Sequence, residues 1–254
     1  MAVGAGAGAA AAAAVAVGIA LPHSDGPSFW DRLFRIQKTS SDICLKADMP
    51  LVAGMTRRCY APAEFAAFMD SPVLGGDGAP VSVRLAHPTD MSREPDSVTT
   101  CNQYRARIAE GWYAETARDM AREGFFTRAC GVVSMLAEAK APEVTYFDDG
   151  ACTAGDIEAF AASAPIGFTE GGDVGAASAS VERAGDSEWA ISSGDQKARL
   201  QEFAHADFNG DGRGDMLVFI HMSVEGGSAS ASRIGYLDKP SANGPVTFVE
   251  KDFN

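Results

Sequence analysis

Basic side chains are scarce. Only 21 lysines and arginines stand against 34 aspartates and glutamates, a formal net charge of −13. A polyanion of this kind is repelled by phosphate backbones, so nucleic acid is not an expected partner. The five cysteines include no CxxC pair and no grouping with histidine at zinc-ligand spacing. A nucleotide-cradling loop, a Ser/His/Asp triad and paired catalytic carboxylates cannot be located either. Beyond residue 21 no run is long and apolar enough to span a bilayer. What is present, 46% hydrophobic and 22% charged residues in a 254-residue chain, suits a globular body long enough to bury a core.

Met1 to Leu21 carry no charge, and the alanine run Ala9 to Ala14 continues into Val15-Ala16-Val17. Such a stretch reads as the apolar part of a secretory signal covering residues 1–20, with Gly18-Ile19-Ala20 as a small-x-small cleavage site. The missing basic residues ahead of it leave an uncleaved anchor, or a misassigned start, as alternatives. After cleavage no membrane span is expected, and the destination is the periplasm or the extracellular space.

An oxidising destination turns the cysteines into candidate disulfides. If Cys101 to Arg122 were one helix returning at Gly124, Cys130 would lie about 25 Å along the axis from Cys101, too far to bridge. Gly111 interrupts the helical pattern, however, and Thr116-Ala117-Arg118-Asp119 has capping-box spacing, so a new helix is expected near Ala117. The favoured pairing is therefore Cys44 with Cys59 and Cys101 with Cys130, leaving Cys152 free. A continuous helix would instead pair Cys101 with Cys152.

The chain divides by character. Residues 1–147 hold 14 basic and 16 acidic side chains, whereas residues 148–254 hold 7 and 18. Residues 21–166 are expected to be mainly helical. Helices are predicted over Ala63 to Met69, after Pro62, and over Ala154 to Ala162, after Thr153, with Phe125, Phe126, Ala129, Val132, Val133 and Leu136 forming an apolar helix face. Residues 167–180, rich in Gly, Ala and Ser, read as a connector. From 181 to 254 the period changes. Glu188 to Ser192, Ala198 to Ala206, Met216 to Val224, Ser232 to Leu237 and Val246 to Lys251 read as strands of an antiparallel sheet. The fold class is α+β.

One segment carries chemistry. Asp207-Phe208-Asn209-Gly210-Asp211-Gly212-Arg213-Gly214-Asp215 sets side-chain oxygens at positions 1, 3, 5 and 9 of a loop in which Gly212, at position 6, supplies the sharp turn. Calcium takes six to eight oxygen ligands at about 2.3–2.6 Å. Asp207, Asn209, Asp211 and Asp215 would supply side-chain oxygens, and Arg213 its carbonyl, with its side chain directed to solvent. An EF-hand fails at its most diagnostic position, since Val218 stands where a bidentate Glu is required.

The DxNxDGxxD pattern between two strand-like flanks resembles the FG-GAP or VCBS-type calcium loop of integrin-like repeats, over about 18 residues from Phe203 to Ile220. The resemblance implies calcium as the ion and Asp207, Asn209, Asp211 and Asp215 as its ligands. It departs from the family in copy number, because one loop cannot build a propeller. A metal-free Asx/Gly turn is the alternative. Three carboxylates in nine residues repel one another unless neutralised, which points to a structural ion.

Other motifs carry less. Gly185-Asp186-Ser187 lacks the Asp-x-x-His of GDSL-type esterases, and Ser230 stands where a GxSxG elbow needs glycine. In Arg213-Gly214-Asp215, the adhesion tripeptide, the aspartate belongs to the proposed metal loop. His205 and His221 flank the hairpin, close enough to face one another across it, and read as paired core or surface histidines, since neither has a third partner at zinc-ligand spacing. The leading expectation is an exported, non-enzymatic binding or interaction protein for a protein or glycan partner. A hydrolase of an envelope or extracellular polymer is the alternative, and a calcium-dependent adhesin fragment a third.

Overall fold

The computed structural model describes residues 42–163, 179–228 and 230–251. The expected leader and most of the expected connector lie outside these residues. The chain combines helices with antiparallel sheets and carries two disulfides.

In the first part, β1 (Ile43–Cys44) pairs antiparallel with β2 (Cys59–Tyr60), with Cys44 directly opposite Cys59, and this pair is disulfide-bonded. Pro62, with φ already suited to a first turn, opens α1 (Pro62–Phe68). A second two-stranded ladder joins β3 (Val83–Leu85) to β4 (Asp96–Val98). Thr100 caps α2 (Cys101–Ala109) by accepting from the Gln103 amide at 3.3 Å, and the Gln103 side chain accepts in turn from the Thr100 amide.

Gly111, at φ +80°, ends that helix. Thr116 then caps α3 (Ala117–Glu138), accepting from the Asp119 amide at 3.1 Å. The break turns the chain back on itself, so Cys101 and Cys130 lie with Cα atoms 5.3 Å apart and are bonded. The pairing with Cys152 is excluded; that thiol is free and buried. Thr153 and Asp156 cap α4 (Ala154–Ser163) reciprocally, through the Asp156 amide to Thr153 Oγ1 at 3.2 Å and the Thr153 amide to Asp156 Oδ2 at 2.9 Å.

The second part is a six-stranded antiparallel sheet in which every strand lies beside its neighbours in sequence: β5 (Ser180–Gly185), β6 (Glu188–Ser193), β7 (Gln196–Ala206), β8 (Asp215–Val224), β9 (Ser230–Asp238) and β10 (Thr247–Glu250). Alternation along β8 divides its side chains between two cores. Met216, Val218, Ile220 and Met222 pack with Trp189, Leu200 and, from α4, Ile157 and Phe160. Leu217 packs with Ala204, Ile234 and, from α3, Phe126 and Val133. Being covered on both faces, β8 reads in sequence as a continuous apolar run.

A bulge in β7 shifts the register between Glu202↔Val218 and Ala204↔Leu217. It switches Ala204 and Ala206 to the α3 face and turns His205 to the α4 face, beside Phe147.

Three expectations need correction. The short ladders β1–β2 and β3–β4 fall in the part read as mainly helical. Ser180, read as the end of the connector, begins β5, whose charged side chains belong to an exposed edge strand. His205 and His221 do not face one another, because the register pairs His205 with Met216 and His221 with Arg199. Among the described residues no helix is long and apolar enough to cross a membrane, and two disulfides are consistent with an oxidising compartment.

Candidate metal centre

The loop from Asp207 to Gly214 links β7 to β8 and is closed by its own side chains. Asp207 Oδ1 accepts from the Gly210 amide at 2.6 Å and Oδ2 from the Gly212 amide at 3.0 Å. Asn209 Oδ1 accepts from the Asp211 amide at 2.9 Å, and Asp211 Oδ1 from the Arg213 amide at 2.8 Å. These turns require left-handed backbone at Gly210 (φ +82°) and Gly212 (φ +83°), where a Cβ would be strained.

The segment leaving α3 clamps the loop from outside. Lys140 and Asp207 exchange backbone hydrogen bonds at 3.0 and 2.9 Å, the Glu143 amide donates to the Gly212 carbonyl at 2.8 Å, and the Gly214 amide donates to the Val144 carbonyl at 2.8 Å. Thr145 Oγ1 lies 2.9 Å from His205 Nε2, and a Cβ on Gly214 would come within 2.7 Å of the His205 ring. His205 therefore packs against the clamp. Burial, with Lys46 adding its charge, holds its pKa at about 4.

Asp215 is the unusual member. It is fully buried. Oδ2 accepts from the Phe208 amide at 2.9 Å, whereas Oδ1 is buried with no hydrogen-bond partner. Pairing of Met216 with Leu237 makes Asp238, one position further along each strand, the cross-strand neighbour of Asp215. Like charges at such a position destabilise a sheet. Burial, followed by the charges of Asp238, Asp211 and Asp207, pushes the Asp215 carboxyl up to about 7. Asp238 Oδ1 is likewise buried and unpartnered by hydrogen bonds.

Arg213 departs from its expected place. Its side chain does not point to solvent but folds back into an ion pair with Asp211 and approaches Asp238 at 3.9 Å. The carboxylates of Asp211 and Asp238 lie on either side of this guanidinium, and their charge draws it inward.

Among the described residues no three His, Cys, Asp or Glu side chains are gathered as a metal-binding group. The donor chemistry nonetheless fits a hard cation. A carboxylate offers about four lone-pair sites, so Asp207 and Asp211 retain acceptor capacity beyond their amide bonds, and Asp215 Oδ1 is wholly unused. A calcium ion would be held by Asp207, Asn209, Asp211 and Asp215, with the Arg213 carbonyl. Sequence reading missed Asp238, 23 residues beyond Asp215, because nothing in local spacing ties the two; only the register of β8 against β9 does. No protein-family model, curated protein or solved structure matches the chain.

Proposed function

We propose that the chain is an exported binding or interaction protein, not an enzyme, whose disulfide-braced helical N-terminal half and C-terminal sheet are tied together by one structural calcium ion in the Asp207–Asp215 loop. The observation carrying this reading is the buried, unpartnered Oδ1 of Asp215. An isolated buried carboxylate oxygen is costly, and a divalent cation satisfies it while neutralising the neighbouring aspartates. The resemblance to FG-GAP or VCBS-type loops points the same way. Because the loop is hydrogen-bonded to the segment after α3 as well as to the sheet, an ion there would fasten two parts of the chain at once.

Calcium titrated calorimetrically into chelator-treated protein should bind at one site. The melting temperature should fall on chelation, and Asp211→Ala should lower it in calcium while abolishing the response to chelator. A melting curve unmoved by both chelation and the substitution would overturn the proposal.

A further inference from the structure

A cavity of about 310 Å³ opens between the segment following β1, the middle of α3 and the face of β8 and β9. Ligand pockets run from about 300 to 1,000 Å³, so this one suits a small molecule. Leu51, Phe125, Phe219 and Ile234 give it an apolar wall. Its one charged lining side chain is Arg128, which has neither an ion pair nor a hydrogen bond with any described residue. In a chain of net charge −13, a cation with no partner among the described residues, set beside an apolar cavity, selects a ligand with one anionic end. A second cavity of similar volume, beside α2, is lined by Arg105, Lys251 and Glu138 and so presents both signs.

We infer that the cavity beside Arg128 binds a small amphiphilic monocarboxylate, with the hydrocarbon against Leu51, Phe125, Phe219 and Ile234 and the carboxylate on the guanidinium. Burial of the hydrocarbon supplies most of the affinity, since it removes apolar surface from water. The exposed guanidinium adds selectivity, because a solvent-screened ion pair contributes up to about 1 kcal/mol, or roughly fivefold in affinity. This inference rests on the binding-protein reading and names its ligand class. It does not depend on the ion, because no residue of the Asp207–Asp215 loop lines the cavity.

Gly76 makes the test clean. It lines the cavity, its backbone is outside the left-handed region, and a Cβ there would meet nothing within 4 Å. A tryptophan at this lining position can therefore be accommodated without straining the chain. Octanoate and 1-octanol should each be titrated calorimetrically into the full chain, with calcium and with chelator.

The expected result is saturable one-site binding of octanoate under both conditions. Arg128→Gln should weaken octanoate about fivefold while leaving octanol unchanged, and Gly76→Trp should remove both at an unaltered melting temperature. Absence of saturable octanoate binding overturns the inference. So does equal weakening of acid and alcohol by Arg128→Gln, or retained binding in Gly76→Trp. Failure of the calcium reading shows separately, as a melting temperature indifferent to chelation.

Discussion

Lys239 donates to Asp156 Oδ1 at 2.5 Å, and both side chains are buried. Asp156 uses its other oxygen to cap α4 at Thr153, so one carboxylate fixes the start of a helix and anchors the residue that follows β9. Breaking a buried pair from one side leaves an uncompensated charge, at a cost of about 3–5 kcal/mol. Lys239→Met should lower unfolding free energy by about 3 kcal/mol in urea denaturation. A loss below about 0.5 kcal/mol, the range of an ordinary surface change, would show that the pair is solvated in solution.

The proposed calcium loop makes a prediction in pH. Without an ion, Asp215 keeps its proton in the fold up to about pH 7, whereas the unfolded chain releases it near pH 4. Its folded pKa is raised, so its contribution is fully present below about pH 4 and is lost as pH rises through 7. His205 runs the opposite way. Its folded pKa is depressed to about 4, so its contribution is present above about pH 6.5 and is lost as pH falls towards 4. Bound at the proposed site, calcium would require the deprotonated Asp215 and so compete with its proton. The stabilisation gained on adding calcium should therefore be larger at pH 8 than at pH 5, measured by urea denaturation with calcium and with chelator. Equal gains at the two pH values would remove Asp215 from the ligand set.

Cysteine chemistry gives a third test. The Cys101–Cys130 bond closes a loop of 29 residues, for which chain entropy gives about 3–4 kcal/mol. Cys101→Ser with Cys130→Ser should cost that order in reversible unfolding. In the same protein Cys152 should stay inert to alkylation until the chain unfolds. Burial, then the charges of Glu202 and Asp156, pushes its thiol well above the ordinary range, so little thiolate is present to react. Rapid labelling of the native protein would contradict that burial.

Sequence alone carried the parts of this fold that are local. Thr116 and Thr153 each announce a helix by a partner three residues on, and both helices begin where those caps stand. The apolar run of β8 and the glycine break at Gly111 were equally readable. The illegible parts are non-local. Two- and three-residue strands such as β1 and β3 have no period of their own and exist only because a distant segment pairs with them. The inward turn of Arg213 and the presence of Asp238 beside Asp215 likewise depend on a register that spacing within Asp207–Asp215 does not contain.

The strand order of the large sheet has a consequence for how it assembles. With β5 through β10 arranged in chain order, each new strand needs only the hairpin just formed as its template. Loop-closure entropy is then met in small steps, and the sheet can lengthen from either edge without waiting for a remote segment. Among the described residues the sheet ends at β5 and β10. On the β5 side, Glu182 and Arg183 put exposed charge along the rim, which discourages a second molecule from continuing the series.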